Sequence, residues 1–197
     1  MNLVDRAKNI IVAPKTEWPA ISAEEPNISQ IMMGYVLPMA LIPTIAEIIG
    51  RGVVGTGLIR SFSWGIAMGL VQFVSAFIVV YLTALVINTL AGSFSSEKNM
   101  GRAIQLVAYS YTPAWVGGIL NIIPVISWIG ALFGLYGIYL MYLGLPHMMK
   151  TPQDKTVTYL IVSIVVLLII YLIIAAILTA IFISIFGISL LGLRSMG

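Results

Sequence analysis

Charged side chains occur along this chain only in clusters, and the intervals between the clusters are long and apolar. The principal uncharged intervals run over 26–46 (21 residues), 61–96 (36), 103–149 (47) and 156–193 (38). Crossing the roughly 30 Å hydrocarbon core of a bilayer takes about 20 helical residues, so each interval can hold at least one span. The third carries Asn121, Pro124 and Ser127 near its middle and is long enough for two crossings joined by a tight turn. The pattern predicts an all-α fold, a polytopic transmembrane helical bundle of about five spans. The spans fall near 29–49, 63–92, 103–122, 126–146 and 157–186, within a bundle covering 29–197, behind an N-terminal segment 1–28.

The second and last intervals exceed one membrane thickness, since 36 to 38 helical residues extend roughly 55 Å at 1.5 Å each. Those helices tilt, project or bend, and Gly187 and Gly192 are the expected break points of the last one. No inverted repeat marks two symmetric halves. In the N-terminal segment Leu3, Ala7, Ile10 and Ile11 share one helical face, opposite Asp5, Arg6, Lys8 and Asn9. A short amphipathic helix at the interface is expected. The segment lacks the apolar run of a removable signal peptide.

Composition agrees: 60% of residues are hydrophobic and 9% charged, against about 25% charged in soluble domains. With a mean hydropathy of +1.05 this excludes a water-soluble fold. The net charge of +3 reads as a topology signal and gives no support to a nucleic-acid partner. With a cytoplasmic N-terminus, Arg6, Lys8, Lys15, Lys98, Arg102, Lys150 and Lys155 lie inside, against Arg51, Arg60 and Arg194 outside. Seven against three follows the positive-inside rule. The absence of cysteine removes thiol chemistry, and His147 is the only histidine, so neither a metal cluster nor a histidine triad is expected within one chain. The Gly50–Gly57 stretch lacks the Lys-Ser/Thr ending of a phosphate loop. No enzymatic activity and no cofactor are expected.

The remaining candidates are polar or small residues inside spans. Glu47 is the one acid within an apolar helix and has Arg51 four residues on, which suits an ion pair or, alternatively, a ligand for an ion or substrate. Gly65, Gly69, Gln72 and Ala76 lie at heptad-like steps, and Gly130, Gly134, Gly137, Met141 and Gly144 repeat at spacings of four and three; both stripes read as helix-packing faces. Tyr136, Tyr139 and Tyr142 flank the second stripe, with Tyr142 placed for an aromatic belt. In Ala108-Tyr109-Ser110-Tyr111-Thr112-Pro113 the proline frees a carbonyl near Ala108 or Tyr109 amid hydroxyl groups. The hydroxyls either re-satisfy that backbone or, with Asn121 and Glu47, form a polar pocket. Pro38 and Pro43 predict a second bent helix.

Taken in order, Pro14-x-x-Glu17-Trp18-Pro19, Tyr35-Val36-Leu37-Pro38 with Ile42-Pro43, Ala108-Tyr109-Ser110-x-x-Pro113, and Tyr139-Leu140-x-Tyr142-Leu143-Gly144-Leu145-Pro146 leading to Pro152-x-x-Lys155 resemble the prokaryotic branch of the Yip (Ypt-interacting protein) family of five-span membrane proteins. The resemblance covers nearly the whole chain and implies residence in a prokaryotic cytoplasmic membrane. The eukaryotic branch carries an Asp-Leu-Tyr-Gly-Pro motif and a long N-terminal region presented to small GTPases. This sequence has neither, so small-GTPase binding is not expected. The expected function is a membrane scaffold or adaptor contacting lipids, other membrane proteins or a second copy of itself. The alternative is a small transporter, channel or lipid-translocating protein using a midplane pocket around Tyr109 and Pro113.

Overall fold

Short polar side chains start the helices. In the computed structural model, which describes residues 2–55 and 61–182, Asn2, Asn27, Ser61 and Asn99 each accept a hydrogen bond from the backbone N–H three residues on. Each satisfies one of the amides that a helix start leaves without an internal partner. The helices are α1 (Leu3–Val12), α2 (Pro14–Ser22), α3 (Ile28–Ile31), α4 (Leu37–Ile49), α5 (Phe62–Leu90), α6 (Met100–Ser110), α7 (Thr112–Gly117), α8 (Ser127–Met148) and α9 (Gln153–Phe182). No strand occurs among the described residues.

Among the described residues four stretches are long and apolar enough to cross a membrane: Ile28–Val54, Phe62–Phe94, Pro124–Met148 and Gln153–Ile177. The third expected span is not a single helix. It is interrupted at Tyr111, continues as α7 and ends in a 3₁₀ turn, Gly118–Ile122. Two contacts give its direction. The Glu97 N–H donates to the Met149 carbonyl at 2.8 Å, joining the ends of α5 and α8 at one end of the bundle, which we call the rim. At the other end the backbone of Asn121 presses on Gly50. Residues 100–122 therefore run from the rim to the far end, and the described residues make five passages, one of them broken. The turn expected around Pro124 is present as 3₁₀ turns on both sides of Ile123.

Pro38 and Pro113 are accommodated in different ways. Before Pro38 the helix widens into a π turn over Met32–Val36, with the Leu37 N–H reaching back to the Met32 carbonyl. Such a turn absorbs the register change that the missing N–H imposes. Pro113 stands in the first turn of α7, where a missing N–H costs least.

The amphipathic helix expected at the N-terminus is α1, and it turns back at Ala13 into α2 to make a hairpin packed on the bundle. Ile10, Trp18 and Ile21 are fully buried there. The Tyr136 hydroxyl donates to the Ile11 carbonyl at 2.7 Å, satisfying the end of α1. Arg6, assigned by its helical face to the polar side, instead points inward and is 6% exposed.

Charge segregates along the bundle. Among the described residues the rim carries Lys98, Arg102, Lys150 and Lys155, with Arg6 paired to Glu24 just inside it; Lys15 sits beside Tyr136 and Tyr139 midway along α8, and the far end carries Arg51 with Glu47. Arg60 and Arg194, and the expected break points Gly187 and Gly192, lie outside the described residues. Since each basic residue near an anionic inner leaflet contributes about 1 kcal/mol, the rim should face the cytoplasm. The chain has no cysteine, so single cysteines can be placed at Lys98 or Lys150 and at Arg51. An impermeant maleimide applied outside intact cells should label Arg51→Cys and spare Lys98→Cys and Lys150→Cys; the opposite pattern would invert the topology.

Candidate functional site

Pro113 cannot donate to the Tyr109 carbonyl four residues earlier, and the helix closes the deficit locally. The Thr112 hydroxyl donates to the Tyr109 carbonyl at 2.7 Å. The Tyr35 hydroxyl lies 2.7 Å from the same Thr112 oxygen. Because the Thr112 proton is already engaged, Tyr35 is the donor, and a relay runs from Tyr35 through Thr112 to the backbone. Thr112 is fully buried. Thr112→Val keeps the shape but leaves two buried polar groups unpaired, which costs about 1–3 kcal/mol each. We expect a clearly lower thermal unfolding midpoint in detergent for Thr112→Val and near-native behaviour for Thr112→Ser, which keeps the hydroxyl.

Around this relay the aromatic rings close ranks. Tyr35 meets Tyr109 edge-on at 4.6 Å between ring centroids, and Trp115 lies 6.4 Å from Tyr35. On the rim side the Arg6 guanidinium sits 5.5 Å from the centre of the Tyr109 ring. It holds Glu17 at 2.6 Å and also pairs with Glu24, so one planar fork joins α1 to the two ends of α2. Arg102 donates to the Glu24 carbonyl at 2.6 Å, which ties the loop after α2 to α6. Trp18 packs where Gly144 leaves room: a Cβ on that glycine would lie 2.8 Å from the indole and would also meet Leu106. Residues distant in sequence, Glu17, Trp18, Tyr35, Tyr109, Pro113 and Gly144, thus build one continuous cluster. A polar cavity of about 360 Å³ opens beside it, walled by Asn2, Arg6, Glu24, Gln30, Gln105 and Tyr109.

The polar pocket expected from Tyr109, Ser110, Thr112, Pro113, Asn121 and Glu47 is not one place. Tyr109 lines the rim cavity and Thr112 is sealed in the relay, whereas Ser110 faces the other side of the same helix. Asn121 and Glu47 are at the far end, where Glu47 is ion-paired with Arg51 on the same helix. Eleven residues of helix, about 16 Å, separate Tyr109 and its neighbours from that end.

The glycine stripes divide as well. A Cβ on Gly65 would meet the Ile48 carbonyl at 2.8 Å, one on Gly69 the Ile48 side chain at 2.5 Å, one on Gly130 the Gly117 carbonyl at 2.9 Å, and one on Gly137 the Ser110 carbonyl at 2.6 Å. Gln72 departs from this face and is exposed. It lies about 60° around the helix from Gly69, past the edge of the contact with α4. Gly134 also departs: a Cβ there would touch nothing within 4 Å.

Gly134 opens onto a second cavity, of about 580 Å³, between α5, α8 and α9. Its walls are mainly apolar, with Leu82, Ile138, Met141, Leu160 and Leu167 among them, and Ser75, Thr83, Ser110, Tyr111, Ser163 and Tyr171 contribute hydroxyls. The cavity exists because α9 is packed only at its rim end. Tyr159 stacks on Phe94 at 4.7 Å and bonds the Ile87 carbonyl, and Leu160 and Ser163 are buried, but no described residue beyond Ser163 is. Arg6, Glu24 and Ser163 join these sites without being expected there from the sequence. The acid in Pro14-x-x-Glu17-Trp18-Pro19, beside a large apolar ring, was the available signal that a buried cation was nearby.

Comparison with family models gives a match to the one described as Yip1 domain, over residues 8–177. No curated protein and no solved structure matches the chain.

Proposed function

The chain belongs to the Yip1 domain family of membrane proteins, and from that premise we infer that it acts as a non-enzymatic adaptor that holds lipids or the spans of other membrane proteins against its bundle. The exposed flank of α9 carries this reading. A helix that is apolar all round but packed over only its first turns leaves its remaining length to be covered from outside. Ile161, Leu172 and Ile177 face outward, as do Leu70, Val71 and Val74 of α5.

The interior argues in the same direction. A conduit needs polar groups lining a continuous path, and charged groups at membrane depth serve that purpose in pumps and channels. Here the hydroxyls of Tyr35 and Thr112 are spent on the backbone, and the far-end ion pair stands apart from them. Between rim cavity and far end lies packed side chain: Tyr35, Met39, Ala40, Trp115 and Pro43 are buried.

The test is recovery from native membranes. Mild-detergent purification or in-membrane crosslinking should yield the chain with a reproducible second chain, another copy of itself, or tightly held lipid. A bare monomer under every gentle condition would count heavily against the adaptor reading.

A further inference from the structure

The cavity beside Gly134 has properties that an ordinary lipid-facing crevice lacks. At about 580 Å³ it falls within the roughly 300–1,000 Å³ range of small-molecule sites. A spanning helix about 10 Å across and 30 Å long would need roughly four times that volume, so the cavity does not accommodate the span of a second chain. None of its lining residues carries a charge, so an anionic headgroup placed there would have neither water nor a cation. Three of those residues are serines; Ser75 is exposed, whereas Ser110 and Ser163 are only 1% and 2% exposed. Neither hydroxyl has a hydrogen-bond partner among the described residues. A buried serine in a helix commonly donates back to the preceding turn, and these two do not. Both oxygens are sealed in this conformation, so donating to an acceptor from elsewhere requires each side chain to turn about χ1 toward the cavity.

We propose that this cavity binds one molecule of an uncharged lipid, its hydrocarbon chain lying between α5, α8 and α9 and its carbonyl or hydroxyl oxygen accepting hydrogen bonds from Ser110 and Ser163. The chain enters laterally, along the flank where α9 diverges from α5 and α8, and meets Leu82, Ile138, Leu167 and Leu168. Gly134 keeps the floor open, since any larger side chain at that position projects into the lipid's volume. This assignment rests on the adaptor reading and names one of the components held.

The experiment uses the full chain in vesicles containing a diacylglycerol with a diazirine on one acyl chain, and photolabelled peptides are mapped by mass spectrometry. Label should concentrate on 75–83, 134–141 and 160–174. Gly134→Leu should remove most of that label without lowering thermal stability. The double variant Ser110→Ala/Ser163→Ala should lower diacylglycerol labelling about tenfold, the equivalent of two neutral hydrogen bonds, while labelling by a diazirine alkane without oxygen stays unchanged. Several results would overturn the proposal: even labelling of all lipid-facing helices, undiminished label in Gly134→Leu, or equal labelling by a phosphatidylglycerol carrying the same chain. Crosslinks from the groove to a second polypeptide in place of lipid would also overturn it, yet leave the adaptor reading standing.

Discussion

Replacing Arg6 by Met will detach the N-terminal helical hairpin from the bundle. Arg6 and Glu17 are each 6% exposed, and their ion pair is the polar contact that fixes α1 to α2 inside the packed region. Forming such a pair contributes little net stability, because desolvating both charges offsets their attraction. Removing one partner is different. Glu17 would be left buried among Trp18, Tyr35 and Tyr109 without its partner, at a cost of about 3–5 kcal/mol. Since each 1.4 kcal/mol is a factor of ten, amide protection across α1 and α2 should fall by more than about a hundredfold in hydrogen exchange. Arg6→Met with Glu17→Gln removes both charges and should recover most of the loss. Glu24 needs no such compensation, because its carboxylate is half in water. Equal exchange in the single and double variants would show that the buried charge is not what holds the hairpin.

Two glycines three residues apart on α8 should respond oppositely to the same substitution. Gly137→Leu brings a Cβ to 2.6 Å from the Ser110 carbonyl, and that atom belongs to the α6 backbone. Backbone yields only if α6 and α8 separate, and with them the Leu106, Leu140 and Leu145 contacts of the core, so a loss of about 3 kcal/mol or more in unfolding free energy is expected. Gly134→Leu meets empty space, and replacing glycine in a helix interior contributes up to about 1 kcal/mol through propensity. Unfolding in detergent, followed by tryptophan fluorescence, should show Gly137→Leu strongly destabilised and Gly134→Leu unchanged or slightly more stable. Similar losses at both positions would mean that α9 closes on α8 and that the cavity is not there.

What could be read from the sequence was set by charge and proline. Uncharged runs between charged clusters located the spans, Pro124 located the turn between α7 and α8, and the i, i+4 spacing paired Glu47 with Arg51. Neighbours across space were less legible. A helical wheel placed Arg6 with Asp5, Lys8 and Asn9, because the carboxylates that draw it inward come from another segment. Periodicity put Gln72 and Gly134 on packing stripes, but a stripe records only a direction: Gln72 lies past the edge of the contact with α4, and Gly134 faces the open cavity. The hydroxyls around Pro113 stand out in the sequence as a group. Successive residues on a helix point 100° apart, however, so Tyr109, Ser110 and Thr112 could not share one pocket.

The central claim is that this bundle holds other membrane components and does not conduct. Its most direct test is flux through liposomes reconstituted with the purified chain, using potassium ions, a small uncharged solute and a fluorescent phospholipid in parallel. The account predicts rates equal to protein-free vesicles for all three, under conditions where the protein remains folded and incorporated. Flux of any of them that disappears in Tyr109→Phe or Glu47→Gln, with folding intact, would contradict it.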